Sequence, residues 1–451
     1  LNALAAPYRG HPVTPAEIDR LLAAINALYA QRGIVTARAI LPPQQGDGGT
    51  LTIDLVEGKL GEIRIKDGRN LKPAYLRHQL SIDPGETIDP QALRGALWRF
   101  NRLSDVQLHA ALSPGKTPGL TDVDLAVTAP RRDQLTLFTD NYAYGATGTY
   151  EGGALYRHAG LLGLDDRLSI LATGARGSLT GTAAYDMPLG YDGTRASLSY
   201  GRGLTRIVAG DYARYGSKGL ADSITGEIVR PLWNDTRWLI LGNVAGGYTR
   251  TRNYIDGRLL DSTGTARSSL GLNISYQGTV RALTTDLTAT YAHGEIENGD
   301  RRAGHILLSG TVAFTQKLIG PLTFSAGAAG QWSNATGLPS DMLFQIGGPT
   351  TVRGYTQGAL AGDKGYFADG QINWALPASG AFATTLFTFI DRGHVTSSFE
   401  EPEDLTSIGG GASVRLGKHL GLDASIGHPL QHGRFGPGKV HAYARLTWDM
   451  F

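Results

Sequence analysis

The chain has 451 residues, with 42 basic and 40 acidic side chains and a formal net charge of +2. That balance gives no support for a nucleic-acid-binding surface, and the absence of cysteine excludes disulfides and thiolate metal ligands. Charged residues are sparse at 18%, yet mean hydropathy is only −0.15 and no apolar run approaches the roughly 18 residues of a membrane helix.

With 62 glycines and tyrosine (19) outnumbering phenylalanine (12), the profile fits a transmembrane β-barrel, where every second residue faces lipid. A soluble all-β protein could share it. Residues Leu1 to Tyr8 lack a cationic segment followed by a long apolar one, so the chain reads as mature or truncated, with any export signal outside it.

Thr14-Pro15-Ala16-Glu17 is a helix start, with Thr14 as cap, Pro15 in the first turn and Glu17 completing a capping box. Ile18, Leu21, Leu22, Ile25 and Tyr29 follow on one face, and Gly33 is placed to end the helix. Strands are expected over Val35 to Leu41 and Leu51 to Leu55. A second unit opens with a strand in which Ile63 and Ile65 alternate with charged residues. A short helix over Pro73 to Leu80 follows, then one capped by Asp89 that buries Leu93, Ala96, Leu97 and Phe100. Strands near Asp105 to Leu112 and at Val123, Leu125 and Val127 complete it.

From about Gln134 the period becomes two. Leu270, Leu272, Ile274 and Tyr276 oppose Ser269, Gly271, Asn273 and Ser275, and Leu308, Val312 and Phe314 oppose Ser309, Thr311 and Thr315. Leu322, Phe324, Ala326, Ala328 and Trp332 repeat the pattern, as do Leu420, Leu422, Ala424 and Ile426. Apolar-out, small-polar-in runs of about ten residues are the pattern of outer-membrane barrels, longer than the strands of about five or six residues usual in sandwiches. Segmentation gives sixteen or seventeen runs, with Ile207 to Tyr215 either strand or loop; because single-chain bacterial barrels have even counts, about 16 is expected. At the C-terminus, Ala444, Leu446, Trp448 and Met450 share a parity that Phe451 does not, which a local bulge or an atypical last turn would explain.

Two short motifs stand out in this setting, Val352-Arg353-Gly354-Tyr355 and Phe389-Ile390-Asp391-Arg392-Gly393. A buried arginine needs an anion. Gly347, Gly348, Gly354 and Gly358 suggest a folded loop around the first motif, and Phe389, Asp391 and Gly393 share a face of the second. Together they resemble the VRGY and F-x-D-x-G signatures of outer-membrane protein translocators. The second N-terminal unit, in the order β-α-α-β-β, resembles a POTRA domain. Leu41-Pro42-Pro43-Gln44-Gln45 with Val56-Glu57-Gly58 resembles the corresponding stretch of two-partner secretion transporters. Asp140-Asn141 with Gly145 and Gly148, and Leu161 to Arg167, are similar to the same family.

The resemblance implies a mostly β chain. An antiparallel transmembrane barrel of about 16 strands over 131–451 would follow two small α+β POTRA domains, 1–58 (its opening strand not evident) and 59–130. It implies a lumen loop in which Arg353 pairs with Asp391 and Tyr355 packs beside it, and Gln371 standing where the family often has glutamate. The implied function is export of an unfolded partner exoprotein from an outer-membrane pore, with POTRA domains in the periplasm. The client would be bound by POTRA edges and lumen, the barrel would contact outer-membrane lipid, and the barrel-assembly machinery would recognise Phe451. Alternatives are a barrel insertase of the same superfamily, or a passive porin. No enzyme, cofactor, metal or nucleic-acid partner is expected. Ser113-Pro114-Gly115-Lys116-Thr117 fails as a P-loop because Ala110 stands where glycine is needed, no H-E-x-x-H occurs, and His419, His428, His432 and His441 cluster only loosely.

Overall fold

The computed structural model describes residues 1–31, 37–44, 49–56, 58–68, 71–117, 119–296, 299–397, 401–431 and 439–451, without the side chains of 295–303. Gly33, Val35, Thr36, Gln45, Glu57 and His432, all used in the sequence reading, lie outside the described residues. The chain divides into one unit of Leu1–Pro130 with Gly160–Asp165, and a second of Arg131–Ala159 with Asp166–Phe451.

In the first unit, α1 (Asn2–Ala5) precedes α2 (Pro15–Gln31). The cap of α2 differs from a full capping box. The Thr14 backbone N–H donates to Glu17 (2.8 Å), but the Thr14 hydroxyl also donates to that carboxylate (2.9 Å). Leu21 and Ile25 bury against Ala39 of β1 (Arg38–Ile40), which pairs antiparallel with β2 (Asp54–Val56). Strand β2 starts later than the alternation at Leu51 suggested. The reason is local: Gln44 Nε2 donates to the Thr52 carbonyl (2.7 Å) and its Oε1 accepts from the Thr52 N–H (2.9 Å), so a side chain takes the place of a partner strand.

Next come β3 (Lys59–Lys66), α3 (Pro73–Leu80), α4 (Pro90–Leu103), β4 (Gln107–Pro114) and β5 (Leu120–Thr128). Asp89 caps α4 by accepting from Gln91 and Ala92 N–H groups. Strand β5 is central, parallel to β3 and antiparallel to β4, so β3 and β4 are sheet edges. Leu76, Leu80, Phe100, Leu108, Val123 and Leu125 lie in the core beneath. On the sheet, Arg64 of β3 reaches Asp122 (2.9 Å) and Asp124 (2.9 Å) of β5.

The second unit is a closed sixteen-stranded barrel. Its strands are β6 (Asp133–Asp140), β7 (Glu151–Ala159), β8 (Arg167–Ala175), β9 (Ser178–Pro188), β10 (Arg195–Arg206), β11 (Lys218–Asn234), β12 (Trp238–Ile255), β13 (Arg258–Gln277), β14 (Arg281–Ile296), β15 (Gly299–Lys317) and β16 (Leu322–Ser333). After β17 (Phe344–Ile346) and β18 (Leu360–Gly362), which pair only with each other, the wall resumes with β19 (Lys364–Ala375), β20 (Phe382–Thr396), β21 (Glu403–Leu416), β22 (Leu420–Pro429) and β23 (His441–Asp449). Ile207 to Tyr215 is a loop with one 3-10 turn, not a strand. Leu270, Leu272, Leu308, Val312, Ile390, Leu422 and Ile426 are exposed on the outside, as a lipid-facing surface requires.

Strand β23 closes on β6 from Arg445↔Asp140 to Asp449↔Thr136. The seam is reinforced by Asp140, which accepts from Arg445 Nε (2.8 Å), and by Asn141, which accepts from the Ala444 N–H and donates to the Ala442 carbonyl, both at 2.9 Å. Beyond β23, the Met450 N–H donates to Leu135 O (2.9 Å) while the Leu135 N–H donates to Phe451 O (3.3 Å). Two residues thus oppose one, the spacing of a bulge, so simple alternation from Trp448 no longer sets the face of Phe451.

Candidate functional site

Between β16 and β19 the chain makes a long excursion whose core is the β17–β18 pair, with Phe344↔Gly362 and Ile346↔Leu360 in register. The turn past β17 needs Gly347 and Gly348, both with φ above +100°. The Gly348 N–H donates to Val352 O (3.1 Å), and the Gly347 N–H to the Thr351 hydroxyl (2.9 Å). Val352 is fully buried with Ile346, Tyr355, Leu360, Val395 and Leu405, so the loop docks on an apolar patch of β20 and β21.

Arg353 then projects onto the wall. Its Nε and Nη2 donate to Asp391 (2.9 and 2.7 Å), and its own backbone N–H donates to the same carboxylate (2.9 Å). Nη1 donates to Gln371 Oε1 (2.8 Å), and the guanidinium carbon lies 3.4 Å from the centre of the Phe389 ring. Asp391 is 0% exposed and the Arg353 side chain 12%. The parity of β20 turns Phe389, Asp391, Gly393 and Val395 inward, while Ile390 and Arg392 face out. Gly393 leaves the space that Val352 and Ile346 occupy, since a Cβ there would meet them at 2.9 and 3.0 Å.

Tyr355 does not touch the charge pair through its hydroxyl, which donates to Thr406 O (3.0 Å) on β21. Several partners had no signal in the sequence. Tyr443 of β23 accepts from the Gly354 N–H (3.0 Å) and donates to Tyr355 O (2.5 Å). Gly427 of β22 gives the loop backbone room, because a Cβ there would lie 2.5 Å from Gly354 N. Gly409 faces the Phe389 ring from β21. The inward spacing of Gly409 and Gly411 against Phe387 and Phe389 is the one pattern that could have pointed to this wall.

The base of the same excursion is tied to a different part of the barrel. Asp341 pairs with Arg267 of β13. Met342 and Leu338 pack on Ala292 of β14 and Leu307 of β15, and Gln331 Nε2 donates to Met342 O (2.8 Å). Among the described residues no group of His, Cys, Asp and Glu is arranged to hold a metal ion. His441 stacks on Tyr443 instead.

A barrel whose lumen is occupied by its own arginine-latched loop can be compared with known proteins. A family model described as haemolysin secretion/activation protein ShlB/FhaC/HecB matches residues 119–416, and one for a ShlB-type POTRA domain matches residues 1–58. The chain belongs to the ShlB/FhaC/HecB haemolysin secretion/activation family. It is 24% identical to the outer membrane transporter CdiB of Dickeya dadantii (strain 3937) over 96% of this chain and 80% of that protein. It is 22% identical to the heme/hemopexin transporter protein HuxB of Haemophilus influenzae over 94% of this chain and 79% of that one.

Among solved structures, CdiB from Escherichia coli superposes with a TM-score of 0.74 at 20% identity, covering 100% of this chain and 87% of the other. BamA from Haemophilus ducreyi lacking POTRA domains 1–3 gives 0.66 at 13%, covering 98% and 95%. These structural likenesses concern the fold. The family match makes this member an outer-membrane secretion transporter of the two-partner type, with its barrel in the outer membrane and POTRA material in the periplasm.

Proposed function

We propose that the barrel exports one partner exoprotein in unfolded form, and that the loop carrying Arg353 is a latch that must leave its wall site for the client to pass. The observation that carries this reading is the bonding of Arg353. Nε, both Nη atoms and the backbone N–H each have a wall acceptor, so one side chain fixes a loop that lies where a client would travel. In this reading Val352, Gly354 and Tyr355 shape the latch. Phe389, Asp391, Gly393 and Gln371 form its seat. The export step needs no catalytic residue.

Residues 1–58 and 59–130 act as two POTRA modules ahead of a barrel over 131–451. Their sheet edges, β3 and β4 in the second module, capture an extended client by strand addition. The barrel-assembly machinery inserts the barrel, with Phe451 in its recognition signal. The likeness to BamA in fold favours an insertase as second reading, while the family match over 119–416 favours secretion.

The test is co-expression with a candidate client, the first choice being any large secreted protein found encoded beside this one. Appearance of that protein in the medium only when the transporter is present supports export. Unchanged secretion without the transporter, together with barrel-insertion defects in its absence, supports the insertase reading.

A further inference from the structure

The two halves of the barrel wall differ in what they turn toward the lumen. On β9 to β14 the outward face is marked by exposed Leu179, Leu198, Ile224, Val244, Leu270 and Leu287, one from each strand. The alternate residues therefore face inward. Ser199, Thr225 and Gly247 stand in register across β10, β11 and β12. Ala245, Ser269 and Thr290 form the next row across β12, β13 and β14. None of these is larger than threonine and none is buried. The ionic groups on this wall are already engaged. Arg195 and Arg267 pair with Asp186 and Asp341, while Glu227 and Asp286 accept from Asn243 and Asn273.

The opposite half is bulky and ionic. Phe387 and Phe389 of β20, Arg415 of β21 and Asp423 of β22 share the inward parity of Asp391. Arg445 of β23 pairs with Asp140 (2.7 Å) and lies over the Phe138 and Tyr142 rings. The seat of Arg353 is on this half. Open space, by contrast, lies against the wall of small residues even with the loop docked. A cavity of about 370 Å³ is bounded by Thr225, Gly247, Ser269 and Thr290 on one side and by Asp341, Met342 and Leu343 of the loop base on the other. A second, of about 520 Å³, is lined by Thr180, Gly203, Ala221 and Thr251 of the same wall.

We propose that the exported chain crosses the lumen in extended form along the wall of β9 to β14, and not through the seat that the latch vacates. This rests on the export reading above and adds the path. An extended chain carries an N–H and a C=O at nearly every residue, each needing a partner. Serine and threonine hydroxyls both donate and accept, so this wall offers many equivalent weak partners and no deep site. A chain can then move from one to the next, the condition for passage through any pore. Charge-assisted bonds are about twice as strong as neutral ones, so the ionic half would hold a chain at fixed points. Latch release frees the loop to draw back and widens the space already open beside this wall.

The probe is the client secreted in the co-expression test, fused at its C-terminus to a domain that folds in the periplasm and halts the chain in the barrel. A benzophenone amino acid for photo-crosslinking replaces Thr225, Ser269 or Thr290, one at a time, in the full-length transporter. Ser413 of β21 and Ser425 of β22, small inward positions on the other half, are the comparison. Heat-modifiable gel mobility shows that each variant is folded. Stronger client adducts at the first three positions than at the last two support the path. Equal or weaker ones overturn it and leave export standing. Adducts at none of the five, with secretion continuing, overturn the path together with passage through the lumen. Bulk gives an independent measurement. Thr225→Trp and Ser269→Trp narrow the path and should lower secreted client per inserted barrel, whereas Ser413→Trp should not. Equal secretion by all three variants, or an equal loss in all three, counts against the path.

Discussion

Replacing Arg353 by alanine removes two hydrogen bonds to Asp391 and one to Gln371, and uncovers the Phe389 ring. Among the described residues, Asp391 then keeps the N–H of residue 353 as its hydrogen-bond donor. Breaking a buried ion pair from one side typically costs about 3–5 kcal/mol, and a hydrated lumen favours the lower figure. At about 3 kcal/mol, the ratio of docked to undocked loop falls about a hundredfold. The barrel itself is held by ladders in which Arg353 takes no part, so insertion should remain normal. Because the chain has no cysteine, a Val352→Cys substitution gives a single thiol at a fully buried loop position. Its maleimide labelling should accelerate by up to about a hundredfold in the Arg353→Ala background, and export per inserted transporter should fall, because a loop that no longer returns to its seat cannot complete a cycle of release and docking. Asp391→Ala should do at least as much, since it also strands the backbone N–H of Arg353. The double substitution should be little worse than either single, because both remove one interaction. Unchanged labelling and normal export in both singles, or strictly additive defects, would refute the latch.

Three further outcomes follow from other parts of the structure. Gly427→Ala should mimic Arg353→Ala at normal insertion levels, because its Cβ would lie 2.5 Å from Gly354 N and 2.8 Å from Arg353 C, both backbone atoms; Gly421→Ala on the same strand, whose Cβ has the flexible Arg415 side chain as its nearest neighbour, is the export control. In the second N-terminal module, the Arg64 hydrogen bond and then its charge hold the Asp124 carboxyl down to about 2. A depressed carboxyl stabilises above its ordinary range near 4 and loses that contribution as pH falls toward 2. Hydrogen exchange of β3 to β5 amides should therefore differ between Arg64→Gln and the natural chain at pH 7 and converge near pH 2, and a difference that persists there would show that the charge pair is not the cause. Deleting residues 1 to 129 should leave an inserted, heat-modifiable barrel that exports no client, and undiminished secretion by that barrel would remove the capture role from the N-terminal modules.

The barrel was legible because lipid imposes one demand on every strand. Period-two alternation needs no knowledge of partners, and it marks Leu270, Leu308 and Leu422 as clearly in sequence as in space. Local contests were harder to read. Residues 207–215 carry apolar side chains at strand-like spacing, yet the Ile207 N–H donates to Ser217 O and the Val208 N–H to Ala146 O, contacts set by neighbouring loops. The start of β2 was masked because Gln44, eight residues away, claims both backbone groups of Thr52. Around the latch the difficulty was combinatorial. Gly409 and Gly427 are two among 62 glycines, Tyr443 sits in a strand where any aromatic could be a girdle residue, and Arg267 and Asp341 are 74 residues apart with no motif around either. Only a closed ring that brings β13, β20, β22 and β23 around one loop gives these residues a common purpose.

Gln371 shows how that ring changes the meaning of a residue. From sequence the amide looked like the loss of a charge. In the barrel, Asp369 lies on the same face of β19, directly opposite Asp391 of β20, while Gln371 lies opposite Phe389. The wall thus already presents two carboxylates to a single guanidinium. A third at position 371 would add like-charge repulsion, and the surplus would fall on whichever carboxylate the arginine could not reach. An amide supplies the acceptor that Nη1 needs and passes its own N–H to Asn373, which donates on to Ser325 of β16. The seat therefore combines one strong ionic contact with neutral hydrogen bonds that water can replace singly. Such a latch would hold firmly at rest, and an incoming chain able to solvate or compete for Asp391 could still release it.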